Sequence, residues 1–439
     1  MYAQTNFFYL SLQQIPKNCN DMKKITTLLI LSLAVGWSMA QTRFLGGDIS
    51  VLQLYEDCQV SYYDQQGAKI NDVLKYLKSE AVGWNALRLR LFVDPSGDSD
   101  PQVRQDLEYV VRLAKRIKAE GFSLLLDFHY SDTWADPSAQ WTPKAWLSLS
   151  DEELQTKIYD YTKACLGRLT DEGAAPDFIQ TGNEISYGMC WGKQGTTANR
   201  CYSDSPAANW TRFTGLLAQA TKACREACPK AQIIIHTERA GDANFLKLVY
   251  NKLADIDYDI IGLSYYPFWH KSLEVLSQSL DMLAADFPDK TVQIVETAYY
   301  YQYKPKKESI TWDSFAVWPD TPEGQAAFTS ALIAELKKHA NVNGLYWWFP
   351  EENGNGPNNA VLKGWINRGL WNNDTHRALP ALYVLKDYLQ GSTTINPLIG
   401  GQGEIPPPSY YDLQGRLLPF QAKGVCIERR GHVTRKIIQ

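Results

Sequence analysis

Between Arg43 and Leu389 the chain alternates short apolar runs with amphipathic stretches. Runs of strand length stand at 44–49, 86–93, 123–128, 178–181, 232–236, 260–265, 292–295 and 344–348. The stretches between them have helical spacing. Over 103–120, for example, Val110, Val111, Leu113, Ala114 and Ile117 fall on one side, and 152–169, 209–227 and 323–338 are similar. Strands separated by helices predict a parallel sheet, because each parallel return needs a crossover. Eight such units are what a closed (β/α)8 TIM barrel requires. An open doubly wound sheet would carry a glycine-rich phosphate turn after its first strand, and Gly46-Gly47 does not supply one. The predicted fold class is therefore α/β, a (β/α)8 barrel over residues 41–390.

Both ends read differently. Met22-Lys23-Lys24, the apolar run Ile25–Val35 and the small residues Ser38-Met39-Ala40 have the order of a secretory signal peptide, with Gln41 as the expected mature start. The run is too short to span a bilayer, so no membrane span is expected. Residues 391–408 contain Gly400-Gly401 and Pro406-Pro407-Pro408, which is linker chemistry. The segment 409–439 is expected to be a short β-hairpin tail. It resembles the tails that end many exported proteins of some Gram-negative bacteria, so the protein is expected outside the cytoplasm, at the cell surface or in the periplasm.

The chain has 439 residues, 45% hydrophobic and 21% charged, which excludes a disordered or fibrous protein. Its formal net charge of −4 argues against nucleic acid as the main partner. The 14 Trp and 25 Tyr are more telling, because flat apolar faces beside hydrogen-bonding groups suit sugars. Of the eight Cys, Cys190 and Cys201 flank one loop, and a disulfide between them is expected in an exported protein. The Cys spacing fits no common zinc pattern.

A barrel gathers its chemistry at the C-terminal ends of its strands. There the sequence places Asp48, Arg88 and Arg90, His129 through Trp134, Asn183-Glu184, Glu238, Tyr265-Tyr266, Glu296 and Trp347-Trp348. Glu184 and Glu296 each follow an apolar run, and two carboxyl groups in one cavity are what glycoside hydrolysis uses. One donates a proton to the leaving oxygen while the other, ionised, attacks the anomeric carbon. Arg88 or Arg90 is expected to keep the nucleophile ionised. Asn183 is placed to hydrogen-bond a sugar hydroxyl, and Tyr265 or Tyr266 to donate to the nucleophile. His129 alone reads as a barrel histidine, but Asp132 and Trp134 beside it bring it towards the sugar. Glu238 reads as a structural partner of Arg239.

These residues resemble glycoside hydrolase family 53, within the clan of retaining barrel glycosidases that carry catalytic glutamates on strands four and seven. The similar stretches are Arg88–Pro95, Asp127–Pro137, Gln180–Glu184, Gly262–Trp269 and Ile294–Tyr299. The resemblance implies an exported endo-β-1,4-galactanase acting on galactan side chains of pectin. Glu184 would be its acid/base and Glu296 its nucleophile, and Asp132 and Trp134 would belong to the loop lining the glycone-side subsites. It implies a polysaccharide partner, a monomer and no cofactor. After Trp348 the chain departs from the family, with Phe349 where many members have Glu. A structural calcium would have Asp374 and His376 to bind near this loop, without a dense oxygen cluster. The rival readings are a β-1,4-mannanase or glucanase on the same frame, and a sugar-binding barrel without catalysis.

Overall fold

A computed structural model describes residues 42–302, 317–354 and 366–390, together with four short strands between 409 and 438. Eight strands close a parallel barrel: β1 (Phe44–Asp48), β2 (Ala86–Leu91), β3 (Ser123–Phe128), β4 (Phe178–Thr181), β5 (Gln232–Thr237), β6 (Ile260–Tyr265), β7 (Thr291–Thr297) and β8 (Val342–Trp348). They pair in chain order, and β8 pairs with β1. The predicted runs differ from these strands only at their ends. The helices Leu107–Ala119, Asp151–Asp171, Ala207–Ala227, Ala243–Lys252, Leu273–Asp286 and Pro322–Leu336 lie between strands. The Asp151–Asp171 helix shows how local chemistry sets a boundary. Ser150 accepts from the Glu153 amide while the Glu153 side chain accepts from the Ser150 amide. That capping box is worth about 1 kcal/mol.

The barrel interior is built in layers. Ala86, Leu125, Phe178, Ile234, Ile260, Val295 and Tyr346 form an apolar floor. Two residues further along, on the same face because side chains alternate, stand Arg88, Asp127, Gln180 and His236, all buried. The closed barrel places this polar layer directly beneath the mouth. Strand β1 packs so closely that a Cβ on Gly46 would lie 1.7 Å from the Ala86 carbonyl oxygen.

The C-terminal segment, expected as a hairpin, is a four-stranded antiparallel sheet: β9 (Ser409–Tyr411), β10 (Leu417–Leu418), β11 (Val425–Arg430) and β12 (Val433–Ile438), in the order β10-β9-β11-β12. The hairpin is its β11–β12 pair. The proposed signal peptide and the linker lie outside the described residues. Among the described residues no helix is long and apolar enough to cross a membrane.

The expected Cys190–Cys201 disulfide is absent, and both are free, buried thiols. Cys190 has φ 49°, and its Sγ lies 3.5 Å from the Tyr130 carbonyl oxygen. The Cys201 Sγ lies 4.0 Å from the Asn199 carbonyl oxygen. Flanking a loop therefore does not aim the two sulfurs at each other. Burial pushes each thiol up to about 12, so neither is a reactive thiolate.

Candidate active site

A cleft of about 600 Å³ opens at the C-terminal end of the barrel. Glu184 and Glu296 both line it. Trp134 and Trp348 stand on one wall, and Arg239 and Trp269 come from the loops after β5 and β6.

Glu296 reaches the cleft through an irregularity. Along β6 and β7 Ile294 pairs with Leu263, but the next pair is Glu296 with Ser264, so Val295 is an extra residue. This bulge reverses the alternation. Val295 packs in the barrel floor and Glu296, its neighbour, also turns inward. There its Oε1 lies 2.9 Å from Arg88 Nη2, and its Oε2 accepts from the Tyr266 hydroxyl at 3.1 Å. Arg88 also binds Asp48 at 2.7 Å, Asp127 at 2.8 Å and the Asn183 side-chain oxygen at 2.9 Å. Burial raises Glu296 above the usual carboxylate range, and the cation of Arg88 and the hydroxyl of Tyr266 oppose the rise.

Glu184 comes two residues after Gly182, at φ 99°, and itself adopts the left-handed conformation, φ 50° and ψ 48°. A non-glycine residue held there costs about 1–3 kcal/mol, and such strain collects at functional sites. Its Oε1 meets the Ser264 hydroxyl at 2.6 Å. Among the described residues no cation forms an ion pair with it. Burial first, and then the negative charges of Glu296 and Glu238, push it well above the ordinary range. The two carboxyl groups are therefore unequal in the sense that general acid catalysis with a carboxylate partner needs. Glu184 is the one that keeps its proton.

The remaining sequence candidates separate clearly. His129 lines the cleft, donates from Nε2 to Asp127 at 3.1 Å and accepts the Ala135 amide at Nδ1. Asn183 also lines it, but its side-chain nitrogen donates to the Ala135 carbonyl at 2.8 Å. Arg90 does not line the cleft. It is buried against Asp48, and its guanidinium carbon lies 4.5 Å from the Trp134 ring and 5.8 Å from the Trp348 ring. Arg90 thus backs the aromatic wall, and Arg88 supports Glu296 from beneath. Asp132 does not reach the cleft either. Its carboxylate accepts from the backbone amides of Asp94 and Lys144 and so shapes the loop.

Tyr265 and Trp347 are corrections. Each points out of the barrel mouth, because it sits one residue off the inward-facing position. The Tyr265 hydroxyl donates to the Lys271 carbonyl, and Trp347 Nε1 to the Arg368 carbonyl. Tyr266 and Trp348 occupy the inward positions. Glu238 does pair with Arg239, at 2.8 Å, yet both also line the cleft. Among the described residues no three His, Cys, Asp or Glu side chains gather to hold a metal, and the His376 Nδ1 lies 2.8 Å from the Asn353 carbonyl oxygen.

The sequence reading missed His236 and Ser264. His236 is fully buried, with Nε2 2.9 Å from the Ser264 hydroxyl and Nδ1 3.0 Å from the Asn183 side-chain oxygen. The alternation from Ile234 and from Ile260 was the signal that both face inward.

Two predictions arise from this layer. Arg88→Leu would strand Asp48, Asp127 and Glu296 without their shared cation. Breaking a buried ion pair costs about 3–5 kcal/mol, so a thermal melt should show a large loss of stability. Tyr266→Phe removes a donor that favours ionised Glu296. Activity needs that ionised form and fails as pH falls through the Glu296 pKa. The acid limb of the kcat/KM profile, already above the usual carboxylate range, should therefore move to still higher pH.

Two inward carboxyl groups at the C-terminal ends of β4 and β7, below aromatic walls and over a charged layer, define a (β/α)8 glycoside hydrolase. Residues 44–385 match the model of Glycosyl hydrolase family 53, and the chain belongs to that family. It is 30% identical over 342 residues to the endo-β-1,4-galactanase of Bacillus subtilis, covering 74% of this chain and 73% of that protein. It is 32% identical over 333 residues to arabinogalactan endo-β-1,4-galactanase A of Aspergillus niger, covering 73% and 89%. The structure of the Ignisphaera aggregans GH53 catalytic domain superposes with a TM-score of 0.68 at 32% identity, covering 80% of this chain and 97% of that one.

Proposed function

We propose that the protein is an endo-β-1,4-galactanase that hydrolyses galactan with retention of configuration. The observation that carries the mechanism is the unequal support of the two glutamates. Glu296 has Arg88 and Tyr266, whereas Glu184 has Ser264 and the neighbouring negative charges of Glu296, Glu238 and Asp136. Glu296 attacks the anomeric carbon, and Glu184 gives its proton to the leaving oxygen. Glu184, then ionised, takes a proton from the water that releases the sugar from Glu296. Similarity to galactanases supports the choice of sugar. Purified protein should release reducing ends from β-1,4-galactan and not from mannan or β-1,4-glucan. Activity on either of the latter alone would replace the substrate and leave the chemistry. A crystal structure should place the two carboxyl groups about 5–5.5 Å apart, since about 6.5–9.5 Å would mean inversion.

Export is part of this function, because galactan lies outside the cell. The exported protein should begin at Gln41 on N-terminal sequencing, and a mature chain that keeps Met22 would exclude cleavage there.

A further inference from the structure

The retaining mechanism leaves the chain of polar groups behind Glu184 unexplained. Ser264 Oγ lies 2.6 Å from Glu184 Oε1 and 2.9 Å from His236 Nε2. On the other side of the imidazole, Nδ1 lies 3.0 Å from the Gln180 side-chain nitrogen and 3.3 Å from the Glu184 amide nitrogen. The Gln180 nitrogen is firmly assigned, because it also reaches Asp127 Oδ1 at 2.6 Å and must donate there. The second Gln180 hydrogen has the Gly182 carbonyl and the Asn183 oxygen as other acceptors, but the Glu184 backbone N–H points at Nδ1, so this nitrogen accepts. The Asn183 side-chain oxygen, 3.0 Å from the same nitrogen, has two other donors for its two lone pairs, Arg88 at 2.9 Å and the Gln180 nitrogen at 3.3 Å.

The rest follows from proton counting. A neutral imidazole carries one N–H, which must then sit on Nε2. It donates to Ser264, whose own proton is left for Glu184 Oε1. The carbonyl oxygen of a protonated carboxyl group is its stronger acceptor, so this bond favours the acid proton on the other oxygen. We propose that His236 and Ser264 are positioning residues that hold the transferable proton of Glu184 on Oε2, the other carboxyl oxygen, and then stabilise the carboxylate left after transfer. No proton travels along the chain. Glu184 Oε2 loses its proton to the glycosidic oxygen, and the Ser264 hydroxyl stays pointed at Oε1 throughout.

The electrostatics agree. His236 is kept neutral by burial and by the charge of Arg88, against Asp127, with His129 and His270 also near. The charged groups facing Glu184 are Glu296, Glu238 and Asp136, and the Ser264 hydrogen bond lowers its pKa against them. Loss of that hydroxyl should therefore raise the Glu184 pKa and move the basic limb of the pH profile upward.

The assignment rests on Glu184 being the acid, so the test has one arm independent of activity. In ¹⁵N NMR of the full protein, His236 should appear as the neutral tautomer protonated at Nε2. A protonated Nδ1, or an imidazolium, overturns the proposal whatever the substrate is. In the kinetic arm, Ser264→Ala, His236→Gln and His236→Ala are compared on galactan and on a dinitrophenyl β-galactobioside, whose leaving group needs no proton. Ser264→Ala should lose about tenfold on galactan, a part of the 10²–10⁴ that general acid help supplies. It should lose less than about twofold on the activated substrate. His236→Gln, whose amide nitrogen replaces Nε2–H, should keep more activity on galactan than His236→Ala. The Ser264→Ala/His236→Ala double variant should lose no more than Ser264→Ala alone, since His236 acts through Ser264. Equal losses on both substrates, additive losses or an unmoved basic limb would reduce the pair to structural support. Wild-type protein that cleaves no β-glycoside would end the functional reading, and the NMR arm would still decide the tautomer.

Discussion

Glu296→Ala should abolish turnover of every substrate, whether polysaccharide, oligosaccharide or activated aryl glycoside. A better leaving group cannot compensate, because the missing step is bond formation at the anomeric carbon. Deleting a covalent nucleophile in a hydrolase costs on the order of 10⁴–10⁶-fold, equivalent to about 5–8 kcal/mol of barrier. The fold should survive, since Arg88 keeps Asp48 and Asp127 as partners. A thermal melt close to wild type would confirm that chemistry, and not structure, was lost. Azide supplies a test that a misfolded protein would fail. It can enter the space left by the carboxylate and attack an activated β-galactoside once, giving a galactosyl azide of inverted configuration. Residual hydrolysis of the activated substrate above about one part in 10³ of wild type, or an azide of retained configuration, would remove Glu296 from the nucleophile's role.

The parts of this site that the sequence made legible are those that regular geometry places. The eight apolar runs, and acids standing just after them, put Glu184 near the mouth with no further information. Arg88 or Arg90 could be set beside a nucleophile because two-residue spacing holds both on one face of β2. The choice between neighbours was harder. Ile260 and Ser264 share one face of β6, and extending that alternation one residue past the strand separates Tyr266 from Tyr265. The same step from Tyr346 separates Trp348 from Trp347. Glu296 is the opposite case. Strict alternation from Gln293 would have turned it outward, and only the bulge at Val295 turns it in. A bulge has no signature in a run such as Val-Gln-Ile-Val-Glu, so the placement came from the position of Glu296 at the strand end, which the family resemblance then matched, and not from periodicity. Cys190 shows a further limit. Two cysteines flanking a loop suggest a bond, but the left-handed backbone at Cys190 is a local event that composition does not announce. Sequence alone did not single out His236 at the end of β5. Its role depends on Ser264, which arrives from the next strand.

Glu184→Ala should behave differently from Glu296→Ala, and the contrast is the stronger evidence for the two roles. Removing the acid leaves the nucleophile and its Arg88 support in place. Galactan, whose leaving group is a sugar alkoxide, should lose about 10²–10⁴-fold in kcat/KM, the usual worth of general acid catalysis. A dinitrophenyl glycoside leaves without a proton, so its first step should proceed at close to the wild-type rate. Its second step, attack of water on the glycosyl-enzyme, now lacks a base. Intermediate should therefore accumulate, visible as a burst of phenolate followed by slow turnover. Azide needs no base and should restore turnover, with retained configuration, because it meets the covalent intermediate from the face that Glu184 vacated. The basic limb of the pH profile should also disappear on the activated substrate, since that limb reports the proton of Glu184, held above the ordinary range by burial and by Glu296 and Glu238. An inverted azide product would show that no glycosyl-enzyme forms. A loss on the activated substrate as large as that on galactan would show that Glu184 is not the acid.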